Sequence, residues 1–243
     1  MAQLDADSYP AATAHDPIVE IFPDVYLVRG SYRANGIMQF NRNMVIVRHQ
    51  GELALLNAVR LSPEGEAQLD VLGQVKHVLR LGYFHGMDDR YYVERYAAEF
   101  WAPVAPRAEF GPVPDHTLTD ISALPFPGMQ AFAFKQSRHS EIAILWQHHG
   151  GIMLMCDALQ FYADRKYCSL FAKVMMPLMG FPLRLIIGPL WLKAMTPKGG
   201  NLRNDYKRLQ TLDFKHLVAA HGSVHNDTAK EAVAEAIQAA LPG

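Results

Sequence analysis

The sequence predicts an α+β fold, a four-layer αββα sandwich, and three observations point to it. The chain holds two successive β-rich blocks, each followed by helical segments. Each sheet so formed has to bury a face, and packing the two sheets on one another with helices outside does this with the fewest layers. Half of the 243 residues are apolar and 19% are charged, which is enough for one sizeable core. There is no internal repeat or low-complexity tract to suggest a solenoid instead.

The first stretch, "MAQLDADSYPAATAHDP", is acidic, small and Pro-containing, without a basic region followed by an apolar core. Residues 1–16 are therefore expected as a disordered leader and 17–243 as a single domain. From Ile18, "IVEIF", "VYLVRG" and "NMVIVRHQGELALLNAV" read as strands, with "HQG" as a hairpin turn. "LSPEGEAQLDVLG" is a short helix capped by Ser62, with Pro63 at its first position and Gly73 at its end. "VKHVLRLGY" reads as a strand, and "DDRYYVERYAAEFWA" as a helix with acidic residues at its start.

The second block gives "MQAFAFK", "EIAILWQ" and "GIMLMCDAL", the last two joined through "HHGG". An apolar helical insertion is expected at about 161–197. Pro177, Pro182 and Pro189 interrupt it, and its longest uncharged run, Val174 to Leu183, is 10 residues. A spanning helix needs about 20, so no membrane span is expected. The segment suits buried helices, a cover over a pocket or a homodimer contact, with an in-plane membrane contact as the further alternative. "NLRNDYKRLQTL" follows as a polar helix, "FKHLVAAHG" as a strand, and "DTAKEAVAEAIQAAL" as a terminal helix with an Asp cap.

The formal net charge of -1 and the absence of a long basic run predict neither nucleic acid nor an anionic membrane as partner. A small-molecule substrate is the expectation. The two cysteines, Cys156 and Cys168, are too few for a disulfide framework and suit a reducing, cytoplasmic location. Phosphate-loop and "GxSxG" signatures are absent.

Imidazoles and carboxylates recur just after the predicted strands: His85 and Asp89, then His139, Asp157 and His221. These side chains suit zinc, iron or manganese, and strand-end loops are where a rigid scaffold can gather them. His148 and His149 fall at a hairpin tip and read as turn residues, whereas His225 lies four residues beyond His221.

The ordered series resembles the metallo-β-lactamase fold superfamily from about Ile18 to the C-terminus. "HGMDDR" aligns with that family's His-x-His-x-Asp-His motif, "RHSEIAILW" with its histidine before a hairpin, "MCDAL" with its bridging Asp, and "AAHGSV" with its final His-Gly. The resemblance implies His85, His139, Asp157 and His221 as metal ligands and Asp89 as a catalytic base. Met87 and Arg90 stand where the motif has histidines. A thioether is a poor replacement for imidazole on zinc or iron(II), and a guanidinium has no lone pair to give. Arg90 could instead neutralise Asp89 or Asp157. The motif is thus degenerate, and one ion at most, zinc or iron, is expected.

The preferred ligand set is His85, His139 and Asp157. Asp89, Arg90 and His221 then form a polar wall around it, and Met87 and Tyr83 line the same surroundings. Three functions follow as expectations. The first is a metal-dependent hydrolase of an ester, thioester, lactone or phosphoester. The second is a mononuclear iron oxygenase of a sulfur compound, because the persulfide dioxygenases of the same superfamily are similar in their ligand set. The third is a metal-free member that uses its cleft for binding.

Overall fold

The structure, a computed structural model, describes residues 9–34, 36–103 and 111–242. Its larger sheet has seven strands in sequence order: β1 (Val19–Phe22), β2 (Val25–Arg33), β3 (Gln39–His49), β4 (Glu52–Leu56), β5 (Gln74–Leu79), β6 (Glu99–Pro103) and β7 (His116–Leu118). The first four pair antiparallel and the remaining pairs are parallel. Parallel pairing needs crossovers. Helix α1 (Pro63–Leu72) connects β4 to β5, and α2 (Asp89–Tyr96) connects β5 to β6. Helix α1 starts as its sequence predicts, with the Ser62 hydroxyl accepting from the Gly65 N–H at 3.3 Å.

The second sheet is built from β8 (Met129–Ala133), β9 (Ile142–Trp146), β10 (Ile152–Leu154) and β13 (His216–Val218), in the order β13-β10-β9-β8. Between β10 and β13 the chain forms a two-stranded ladder of β11 (Leu159–Phe161) and β12 (Leu185–Ile187), together with α3 (Leu170–Leu178), α4 (Pro189–Met195) and α5 (Arg203–Gln210). Helix α6 (Ala229–Ala240) closes the fold.

The alternation of apolar residues along the strands produces the layers. Val25, Val45, Val47 and Leu56 of the first sheet meet Ile142, Ile144, Trp146 and Leu154 of the second in a core between the sheets. The opposite face of the first sheet buries Met44, Leu53 and Val78 with Leu69 of α1 and Tyr92 of α2. The opposite face of the second sheet buries Leu145 and Met153 with Trp191, Tyr206 and Val233 from α4, α5 and α6. This is the expected αββα order. Each fully buried large apolar side chain contributes about 1.5–3 kcal/mol.

Four expectations change. The helix after the metal-like loop stops at Tyr96, because Ala97 turns left-handed (φ 50°) and "EFWAP" continues as β6. The insertion at 161–197 is not wholly helical, since β12 lies inside it and pairs with β11. The Asp cap on α6 gives way to Thr228 as the N-terminal flanking residue, with no side-chain bond to the helix. Finally, part of the proposed leader is packed: the Ser62 N–H donates to His15 Nε2 at 2.8 Å and the Thr13 hydroxyl donates to the Ser31 carbonyl at 2.6 Å. Residues 1–8 lie outside the described residues. Cys156 and Cys168 are both buried free thiols.

Candidate metal centre

The end of β5 leads into the loop that carries His85, and the turn after β10 carries Asp157. His221 follows β13. The three residues form a close triangle in which each imidazole faces a different oxygen of Asp157: His85 Nε2 is 3.3 Å from Asp157 Oδ2, His221 Nε2 is 3.1 Å from Asp157 Oδ1, and the two Nε2 atoms are 3.2 Å apart. Two ligand atoms bound tetrahedrally at zinc distances stand roughly 3.3 Å apart, so each pair of side chains approaches as closely as one ion requires, and one ligand atom from each of the three lies within 4.8 Å of the others. Among the described residues this is the only group of three such side chains that close together.

The chain fixes two of the corners, His221 and Asp157, from behind. His221 Nδ1 lies 2.6 Å from the Asn41 carbonyl oxygen, to which it donates, so Nε2 is the atom turned into the triangle and the one that carries the lone pair when the ring is neutral. Asn41 also accepts from the Gly222 N–H, and Asn43 Nδ2 donates to the carbonyls of Ala219 and Gly222 at 2.8 and 3.1 Å. Gly222 has φ 88°, and a Cβ there would lie 2.0 Å from the Phe161 carbonyl oxygen, so the His-Gly pair needs its glycine.

Asp157 is held through its backbone and its side chain. Glu141, buried at the start of β9, accepts from the Asp157 and Ala158 N–H groups at 3.1 and 2.9 Å and from the Trp191 indole. Gln160 Nε2 donates to Asp157 Oδ1 at 3.3 Å, and the Tyr162 hydroxyl donates to Gln160 Oε1 at 2.9 Å. Burial raises the Asp157 carboxyl, but His85 and His221 beside it outweigh burial and hold it well below the ordinary carboxylate range. Burial likewise lowers the His221 imidazole, and its bond to Asp157 overrides this and lifts it above its ordinary value. Glu141 goes the other way: burial, then the nearby Asp157 charge, push its carboxyl well up.

One face of the triangle opens on a cavity of about 360 Å³. Asp157 and His221 reach its wall, which is otherwise mostly apolar and includes Phe40, Phe84, Met176, Phe181 and Trp191. Part of the segment expected to cover a pocket lines this one, Met176, Phe181 and Trp191 among it.

No protein-family model and no curated protein sequence matches the chain. Solved structures do resemble it. The DIM-1 metallo-beta-lactamase superposes with a TM-score of 0.65 at 8% identity, covering 93% of this chain and all of that one (100%). FIM-1 from Pseudomonas aeruginosa, in its mono-zinc form, gives 0.63 at 11% identity over 96% of this chain and 99% of its own. The metallo-beta-lactamase of Erythrobacter litoralis gives 0.59 at 9% identity, with 93% and 96% covered. The chain has the metallo-β-lactamase fold.

Within this metallo-β-lactamase fold, the residues singled out from sequence are distributed unevenly. His85, Asp157 and His221 come together; His139 stands apart from the group. It stacks face to face on Tyr83, with ring centroids 3.9 Å apart and planes inclined by 10°. His221 thus supplies the second imidazole where His139 was preferred. Tyr83 is not among the cavity-lining residues, whereas its neighbour Phe84 is.

Asp89, expected as the base, is buried and bonded to Arg80 Nε at 2.7 Å. Burial raises its carboxyl despite the guanidinium. Nor does Arg90 neutralise Asp89 or Asp157: its Nε donates to Glu94 Oε1 at 2.6 Å, one helical turn along the exposed side of α2. The compensating cation is Arg80, on which Gly86 lies so closely that a Cβ would come within 2.2 Å of Nε. Asp88 is paired in the same manner with Arg42 of β3. Met87 is an exposed loop residue. His225 packs its ring on Phe161, at 4.5 Å between centroids, and lines a different cavity.

Sequence reasoning passed over Arg80, Glu141, Asn41 and Asn43. Their signal is a polar residue inside an apolar strand, as in "FNRNM", "VLRLGY" and "SEIAILW".

Proposed function

We propose that this chain is a metal-dependent hydrolase of the metallo-β-lactamase superfamily that holds one divalent ion on His85, Asp157 and His221. The convergence of these side chains carries the reading: two imidazoles and a carboxylate from three distant parts of the chain approach pairwise to 3.1–3.3 Å beside an open cavity. A divalent cation supplies Lewis acidity and makes a water molecule acidic enough to attack an ester, thioester, lactone or phosphoester near neutral pH. Asn41 keeps His221 in the ligand tautomer, and Gln160 and Glu141 aim Asp157. The aromatic and methionine walls exclude bulk water and receive an apolar portion of the substrate. Among the described residues Asp157 is the only carboxylate on that wall, so the cavity favours a substrate with an apolar body over a short charged one.

The test is elemental analysis of protein purified without a polyhistidine tag or chelator. About one ion per chain is expected, lost in His221→Ala and retained in His139→Ala. Loss in His139→Ala with retention in His221→Ala would reinstate the other ligand set. Two imidazoles and one carboxylate also suit non-heme iron(II), so iron content with oxygen consumption would favour an oxygenase. A chain that takes up neither zinc nor iron(II) would be a metal-free member whose cleft binds without catalysis.

A further inference from the structure

Helix α3 inverts the usual arrangement of a surface helix. Its inner face is narrow: Ala172 and Met176 are buried with Tyr162, Cys168 and Phe181. Its outer face carries Leu170, Val174 and Leu178, which are 80%, 61% and 78% exposed, with Phe171 beside them. A surface helix whose outer face is largely apolar belongs against something. Leu183, just beyond α3, and Leu190 on α4 extend the apolar surface and are 53% and 55% exposed. Met176 also lines the cavity next to Asp157 and His221, so a single helix separates the cavity from this outer surface.

Charge identifies what covers it. Seven of the chain's 23 basic residues, and none of its 24 acidic ones, fall between Arg165 and Asn204. Lys173, Arg184 and Lys193 are exposed there, and none forms an ion pair among the described residues. The near-zero net charge of the whole chain hides this asymmetry. Apolar side chains interleaved with unpaired cations match a bilayer surface with anionic headgroups, which takes the former into the acyl boundary and attracts the latter. A second copy of the chain fits less well, because a two-fold contact would set the same basic residues against each other. With nine residues α3 is too short to cross a bilayer, and among the described residues no helix is long and apolar enough to do so.

We propose that the outer face of α3, with Lys173, Arg184 and Lys193 around it, docks in the plane of an anionic lipid surface. Docking sets the adjoining cavity against the lipid, where amphiphiles are concentrated. The proposal concerns binding alone and does not depend on whether the His85–Asp157–His221 group holds a metal.

The experiment is co-sedimentation of the full chain with two kinds of vesicle, phosphatidylcholine alone and phosphatidylcholine containing phosphatidylglycerol. Wild-type protein should sediment with the second kind, not the first, and less so as salt is raised. Leu170→Ser/Val174→Ser/Leu178→Ser should weaken binding about tenfold or more, through lost apolar contact. Lys173→Glu/Lys193→Glu should do so through lost attraction, with far-UV circular dichroism unchanged in both because all five side chains are exposed. Three results would overturn the proposal. One is no sedimentation with anionic vesicles, and another is sedimentation that neither variant weakens. The third is a wild-type dimer in analytical ultracentrifugation that the triple Ser variant dissolves, which would assign the face to a second copy.

Discussion

The loop after β5 treats its polar groups in two different ways. At its beginning, His85 points across about 3 Å at Asp157 and His221, beside a cavity. Three and four residues later, Asp88 and Asp89 are each closed off by a buried arginine, Arg42 and Arg80. Both ends bury polar atoms, but only the first turns lone pairs from separate residues toward one point. At the second end a permanent cation from the chain itself occupies the carboxylate. A carboxylate in a metal-like motif is therefore not by itself a ligand; what faces it decides. One end of the loop is built for exchange with solvent species, and the other for holding the backbone in place.

If that contrast is right, the arginine end should dominate stability. Arg80→Met leaves the Asp89 carboxyl buried and without its partner, and should cost about 3–5 kcal/mol in urea unfolding. Arg80→Met/Asp89→Leu should recover most of that loss, because no charge then remains buried. A double variant as unstable as the single one would mean that the loop needs the ion pair for its shape.

Glu141→Gln should come next, at about 1–3 kcal/mol. All three groups that Glu141 accepts from are N–H donors, so an amide NH₂ in place of one oxygen has to face another donor. If the Trp191 side loses its acceptor, the tryptophan fluorescence should change with the unfolding midpoint.

The imidazole end should behave oppositely. Without added metal, His85→Ala and His221→Ala should each cost about 1–2 kcal/mol, less than Arg80→Met, because the buried Asp157 carboxylate keeps the other imidazole beside it. With zinc present, wild-type protein should melt at a higher temperature and these variants should show no such rise. A zinc-dependent rise in His221→Ala equal to that of wild type would break the contrast.

The sequence makes the scaffold legible where periodicity and caps act locally. Apolar strands such as "IAILW" and the Ser62–Pro63 start of α1 are visible because neighbouring residues determine them. Strands β7 and β12, three residues each, are not visible; one is too short to show a pattern and the other follows a proline-rich stretch. The set of strand-end imidazoles and acids was readable too, yet their partners were not. His221 is turned by Asn41, 180 residues away in sequence, and His139 is drawn onto Tyr83. Side-chain direction at a strand end depends on such distant contacts, which no local spacing records. Arg80 and Arg90 show the same limit, since both are near Asp89 in sequence and only one is turned inward.

That last pair gives the smallest and sharpest test. Arg90→Ala removes a motif-position residue whose side chain is 60% exposed and whose partner, Glu94, lies on the same helix face. Its charge is already solvated, so the exposed i,i+4 pair adds little, and the unfolding midpoint and metal content should both match wild type. If instead Arg90→Ala destabilised the chain as strongly as Arg80→Met, the charge that closes the loop would be Arg90. Asp89 would then be open to solvent, and the two ends of the loop would no longer differ in kind.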